Sequence, residues 1–137
     1  MTDTTETNRR LLRALFSTIA SAGWADGFMA TLHDDLVFNA MGTSPVAGRY
    51  QGKQVYRTQV LDRLHTRLAS WPMPIVDTMI VDGNMASVQF HSEGGKGHNG
   101  ADFNMQYCWV VRLDRERIAE IWGYYDSGKM VALFDDA

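Results

Sequence analysis

Apolar residues near the start of the chain recur at helical spacing. Leu11, Leu12, Leu15, Phe16, Ile19 and Ala20 fall on one side of a 3.6-residue repeat, which predicts a helix from Asn8. Ser21-Ala22-Gly23 stops it, because glycine tolerates the left-handed backbone that ends helices. Ala25–His33, with Phe28, Met29 and Leu32, reads as a short second helix, and Leu36–Ala40 as a short strand. Gly42, Pro45 and Gly48 then punctuate Met41–Gly52, a loop long enough to suggest function. Gln54–Ala69 is a third helix whose apolar stripe is Val55, Tyr56, Val60, Leu61, Leu64 and Leu68; Lys53, Arg57, Arg63 and Arg67 take its other side.

Beyond Pro72 and Pro74 the pattern changes to strands. Ile75–Val81 and Met85–Ser92 flank Asp82-Gly83-Asn84, a hairpin signal. The run Glu93–Gly100 is glycine-rich and reads as a mobile flap; it lacks the strand–helix context of a phosphate-binding loop. Residues 105–111, and the run from Arg117 to its junction with a helix at Asp126, are aromatic-rich strands joined through Arg112–Arg117, a second hairpin. Asp126 stands where a helix N-cap belongs, ahead of a last short helix over Ser127–Phe134. Residues 1–7 are polar and read as frayed. Three helices, four antiparallel strands and a small helix predict an α+β fold: one domain over 1–137, with a curved antiparallel sheet wrapped around about three helices.

Composition narrows the function classes. A chain of 137 residues can bury a real core without disulfide staples, and its lone Cys108 excludes an internal one. A net charge of −3 with no basic stripe argues against a nucleic-acid partner. No apolar run is long enough for a membrane segment, so the expectation is a soluble, cytoplasmic protein. Eight Met and 11% aromatic residues suit a dense core or an adaptable apolar cavity. No histidine pair has metal-ligand spacing, and no cofactor is implied.

Two motifs, within this order of elements, give the chain a family resemblance. Val37-Phe38-Asn39-Ala40-Met41-Gly42-Thr43-Ser44-Pro45-Val46-Ala47-Gly48 is similar to the ketosteroid isomerase segment Val-x-Asp-Pro-x-Gly-Ser-x-Pro-x-x-Gly. Ile118-Ala119-Glu120-Ile121-Trp122-Gly123-Tyr124-Tyr125-Asp126 resembles the Gly-Lys-Ile-x-Glu-x-Trp-x-x-x-Asp ending of SnoaL-like cyclases. Together they resemble the nuclear transport factor 2-like superfamily, in its SnoaL-like and ketosteroid isomerase-like branch. The resemblance implies a cone-shaped fold with a deep pocket at the wide end, and a homodimer.

It also marks departures. The isomerase's proton-shuttling Asp is replaced by Asn39, whose amide has no accessible pKa. Its oxyanion hole, a tyrosine with a carboxylic acid kept neutral, aligns with Phe16 and Trp109. The chain is therefore not a true ketosteroid isomerase. Limonene epoxide hydrolases resemble the second motif as well, but their catalytic Asp falls on Tyr124 or Gly123.

The candidate residues follow. Asp126 is the one carboxylate with a motif behind it, read either as a catalytic acid/base or as a helix cap. Tyr107 and Trp109 alternate onto one face of their strand; Tyr107 is a candidate hydrogen-bond donor in catalysis, and Trp109 a pocket wall. Phe16, Trp24, Met41 and Tyr124 complete the candidate ligand-binding set, with Asn39 as a hydrogen-bonding group at the old base position. Tyr124 and Tyr125 point to opposite faces, and the sequence does not decide which lines the pocket. His91 reads as outward, His33 and His65 as helix-surface residues, and His98 as a solvated loop residue. Two functions remain: a cofactor-independent isomerase, dehydratase or cyclase acting on a small, largely apolar molecule, or a catalytically silent module that binds such a ligand or a protein.

Overall fold

The computed structural model describes residues 3–135. Helix α1 (Thr4–Ala22) begins four residues earlier than the expected start at Asn8, because Asp3 caps it: the carboxylate accepts from the Thr5 N–H at 3.0 Å. The expected frayed segment 1–7 is thus corrected from Asp3 onward, and its first two residues lie outside the described ones. Gly23 ends α1 with φ 79°, its N–H bonding to Ile19 O at 2.8 Å. One side of the helix (Leu12, Leu15, Phe16, Ile19) is buried. At about 1.5–3 kcal/mol per buried side chain, that stripe outweighs the helix's own propensity.

The second helix is shorter than the sequence suggests. α2 (Asp26–Met29) is a single turn, and strand β1 (Leu32–Ala40) already contains His33, which is therefore a strand residue. β2 (Gly48–Gln51) pairs antiparallel with β1, so the long loop is really 41–47. α3 (Lys53–Tyr56) passes through a π-helical turn (Arg57–Leu61) into α4 (Asp62–Arg67). The extra residue in that wide turn lets Tyr56, Val60 and Leu61 all face inward, which a regular 3.6-residue spacing would not do as well.

The main sheet has six strands in the order β2-β1-β8-β7-β5-β4. Its remaining members are β4 (Met73–Asp82), β5 (Met85–Glu93), β7 (Gln106–Asp114) and β8 (Arg117–Tyr124). All its pairings are antiparallel except β1 with β8. Both predicted hairpins form. Gly83-Asn84 connects β4 to β5, and α1 holds that turn: Asn8 donates to Gly83 O at 2.8 Å, and Gly83 N–H to Thr5 Oγ1 at 2.8 Å. Arg115 and Glu116, both at positive φ, connect β7 to β8.

The glycine-rich run is not a flap. β6 (Lys96–Gly97) pairs with β3 (Leu68–Ser70) in a small second sheet. Asn104 exchanges hydrogen bonds with the Gly95 backbone, and a Cβ at Gly95 would meet Phe103 O at 2.4 Å. Asn99 and Lys129 tie the following loop to α5 (Ser127–Leu133). Hydrogen bonds from Lys129 and Asn104 hold the Asp102 carboxyl below its ordinary pKa. The helices cover one face of the curved sheet, the predicted α+β architecture. Among the described residues no helix is long and apolar enough to cross a membrane.

Candidate functional site

Side chains alternate across a strand, and here that alternation divides the chemistry. On the inner face of β7, Tyr107 stacks on Phe90 with ring centres 4.6 Å apart. Two residues on, Trp109 meets Phe16, Trp24, Phe28, Phe38 and Phe90, each within 6.4 Å. The neighbouring position on β8 is Gly123. A Cβ there would lie 3.3 Å from the Phe38 ring and 3.4 Å from the Trp109 indole nitrogen, so the glycine gives both rings room to lie over the strand.

Between these rings and the helices is an apolar cavity of about 70 Å³. Tyr107, Trp109 and Phe38 line it from the sheet; Tyr56, Val60, Leu61 and Leu64 line it from the third helical segment. Trp24, Trp71 and Pro72 stand on one side, and Val46, Phe103, Tyr125 and Met130 on another. No Asp, Glu, Lys, Arg or His is among these residues. Two of the tryptophans have spent their N–H groups: Trp24 donates to Pro72 O and Trp71 to His65 Nδ1, both at 3.1 Å.

The remaining polar groups of the lining side chains are the hydroxyls of Tyr56, Tyr107 and Tyr125 and the Trp109 indole N–H. Burial pushes Tyr107 up to about 12, against the smaller opposing effect of a hydrogen bond from Ser92. That bond is 3.3 Å long, with Ser92 Oγ donating and in turn accepting from Met105 N–H at 3.1 Å. Burial also raises Tyr56, and the nearby Tyr125 raises it further. Tyr125 is raised by burial too; Ser44 stands close enough to offset a little of this, without the geometry of a hydrogen bond. Among the described residues, Tyr125 Oη is the fully buried side-chain polar atom with no hydrogen-bond partner. All three phenols stay protonated at neutral pH, so they can donate hydrogen bonds but cannot act as bases.

The sequence-predicted residues separate into three groups. Tyr107, Trp109 and Trp24 line the cavity. Phe16 and Met41 do not: Phe16 is buried behind Trp109, and Met41 is half-buried after β1, bonded through its N–H to Gly123 O. Asn39, Tyr124 and Asp126 lie elsewhere. Asn39 is on the outer face of the sheet, because Phe38 takes the inward position; its amide donates to Glu120 Oε2 at 3.0 Å and Ile121 O at 3.1 Å. Tyr124 is outward and 46% exposed, so Tyr125 is the tyrosine of that pair that reaches the cavity. Asp126 is an exposed N-cap whose Oδ1 accepts from Gly128 N–H at 2.9 Å and Lys129 N–H at 3.3 Å. Its carboxylate serves α5 and is not part of the cavity wall.

Several lining residues escaped the sequence reading. Val46, Phe103 and Trp71 sit in segments that read as loop; Phe103, an aromatic ring between Asp102 and Asn104, carries the one visible signal. Tyr56 was recognised as core, but its hydroxyl was not recognised as a cavity group. Outside the cavity, Trp24, Leu61 and Trp71 also border a wider depression of about 410 Å³ that carries Asp26, Arg57, Asp62 and His65. His33 and His91 do not line it. His91 pairs with Asp77 at 2.8 Å on the outer face, and His33 bonds to Asp114 O at 3.0 Å. Among the described residues no group of His, Cys, Asp and Glu is arranged to hold a metal.

Known proteins place this geometry. Residues 12–121 match the family model of the SnoaL-like domain. No curated protein matches the chain by sequence. Solved structures share the fold at low identity. A nuclear transport factor 2-like protein from Burkholderia thailandensis E264 superposes with TM-score 0.78 at 16% identity, over 93% of this chain and 97% of its own. An epoxide hydrolase of the LEH-like kind from M. tuberculosis gives 0.68 at 22%, over 94% and 90%. TerC, co-crystallised with polyporic acid, gives 0.75 at 14%, over 92% and 98%. With most of its length matched by the family model, the chain belongs to the SnoaL-like domain family, and it shares its fold with a nuclear transport factor 2-like protein.

Proposed function

We propose that the protein binds a small, neutral, largely apolar molecule in the cavity beneath Trp24 and Trp109, without a carboxylate acid/base. One observation carries the reading: the cavity is walled by aromatic and aliphatic side chains, and no Asp, Glu, His, Lys or Arg lines it. Apolar concavity with a few fixed polar groups is the usual form of a small-molecule site. Asp126, spent on the α5 N-terminus, supports the binding reading over the catalytic one. The match to TerC, which was crystallised with a small organic ligand, is consistent with it.

A thermal-shift screen of small aromatic and alicyclic compounds on wild type and Asp126→Asn tests this. The expected result is equal stabilisation of both proteins by a hit, because Asn preserves the cap and the cavity is untouched. Stabilisation lost in Asp126→Asn would return the carboxylate to the site.

A second reading rests on the depression outside the cavity. Asp26, Asp62 and His65 there border the same Trp24 and Trp71, so a substrate seated across both spaces would meet groups able to move protons. Turnover of a bound isomerisable or dehydratable hit that is lost in His65→Gln would establish this enzymatic reading. Turnover unchanged in that variant would remove it.

A further inference from the structure

Trp24, Leu61 and Trp71 belong both to the cavity and to the wider depression outside it. A molecule moving from the depression into the cavity has to pass them. The two indoles are tied in different ways. Trp24 donates to the backbone carbonyl of Pro72, which is an acceptor at every pH. Trp71 donates to Nδ1 of His65 on α4, and the two rings lie 5.6 Å apart at a tilt of 39°. An accepting Nδ1 puts the imidazole proton on Nε2, so this bond exists only while His65 is neutral. A protonated imidazole carries N–H on both nitrogens and accepts nothing.

The backbone on either side of Trp71 is held in place. Ser70 Oγ donates to Gly94 O at 2.6 Å, and Ser70 pairs with Lys96 of β6. Pro72 is buried, and its Cβ lies only 3.0 Å from where a Cβ on Gly95 would stand. The part left to move is the half-buried indole of Trp71, by rotation about its own side-chain bonds, and its N–H is tethered to His65. The other charged groups around His65 in the depression are Asp62 on α4, Arg57 in the π turn and Asp26 on α2, with Arg57 3.8 Å from Asp26.

We propose that Trp71 is the door between the depression and the cavity, and that His65 is its latch. The indole closes the passage while the imidazole is neutral and turns aside when the imidazole is protonated. This rests on the small-molecule reading above and adds how the ligand is admitted. Trp24, fixed to Pro72 O, is the jamb on which the door closes. The rest of the cavity wall is the same in both states, so protonation of His65 changes the rate of ligand exchange more than the affinity.

Benzene, small, neutral and apolar, is the probe. Its exchange with the cavity is followed by the line shape of the Trp109 indole N–H signal at about pH 8 and about pH 5. In wild type the exchange rate is expected to rise about five-fold at the lower pH, the effect of losing one hydrogen bond. His65→Asn keeps an acceptor near the Nδ1 position and does not titrate, so its rate should stay slow at both pH values. Asp26, Arg57 and Asp62 are retained in that variant; a rise that persists there belongs to them and overturns the latch. Trp71→Ala should exchange fast at both pH values, and a rate as slow as that of neutral wild type overturns the door. The latch is also read without benzene. The Trp71 indole N–H signal should follow the titration curve of the His65 imidazole in wild type and stay fixed in His65→Asn; an indole signal indifferent to that titration overturns the latch. Failure of benzene to bind any of these proteins counts against the small-molecule reading, and the indole signal then decides the latch by itself.

Discussion

The two faces of the β7–β8 hairpin carry similar residue types and treat them in opposite ways. Inside, Trp109 and Tyr125 border empty space, and one hydroxyl has no partner. Outside, Glu120 accepts from Asn39, and the guanidinium groups of Arg49 and Arg112 lie 3.7 and 3.5 Å from its carboxylate, while Trp122 and Tyr124 flank the cluster. The outer face holds the charges and has used them; the inner face holds no charge. Polar atoms whose demand is already met by neighbours stabilise structure. Motif matching drew attention to Asn39 and Asp126, which are both satisfied, and passed over Tyr125, which lines the cavity.

The comparison can be broken in four places. Trp109→Ala removes the ring that meets five other aromatic side chains, and is expected to lower unfolding free energy by about 3–5 kcal/mol in chemical denaturation. A loss under about 1 kcal/mol would mean that the inner face is not the packed region described. Glu120→Ala leaves the Asn39 amide without its carboxylate acceptor and two guanidinium groups without a counter-charge, for an expected loss of about 1–3 kcal/mol. Hit binding inside should not change, and a parallel loss of affinity would show that the two faces are coupled.

Asp126→Ala removes the α5 cap and should lose about 1 kcal/mol, while Asp126→Asn loses much less. Equal losses in the two variants would contradict the capping role. The smallest change is one of pH dependence. Tyr107 has a folded pKa of about 12 against an ordinary 10.0. Folding therefore favours its neutral phenol: that stability is present below pH 10 and is lost as pH rises through about 12. Tyr107→Phe should flatten part of the alkaline decline in Tm, on top of a pH-independent loss of about 1 kcal/mol because the Ser92 hydroxyl loses its acceptor.

Much of this organisation is legible in the sequence because its causes are local. Alternation in β5, β7 and β8 places Trp109 inward and Cys108 outward, and Gly23 and Gly83-Asn84 mark a helix end and a turn. The failures have non-local causes. His33–Asp35 are carried into β1 as an irregularity between Leu32 and Val37, which pair with Ile118 and Glu120 of β8, and nothing in their own pattern says so. Asn39 faces outward because its neighbour Phe38 takes the inward position, and on a strand a one-residue change moves a side chain to the other face. Phe103 and Val46 reach the cavity from loops held by Asn104, Tyr50 and Ser44, contacts that no period encodes. The π turn at Arg57–Leu61 likewise shifts which residues of the third helix face inward.

The tryptophans report on the central claim directly. Of the chain's four, Trp24, Trp71 and Trp109 line the cavity, and Trp122 lies on the outer face. Their indole N–H signals in a ¹H–¹⁵N correlation spectrum, followed during titration with a hit compound, give one probe outside and three inside. The account predicts that the Trp24, Trp71 and Trp109 signals move together on saturation and that Trp122 stays in place. Movement of Trp122 with the other three unchanged would put the ligand on the outer face and contradict the assignment of the cavity as the site.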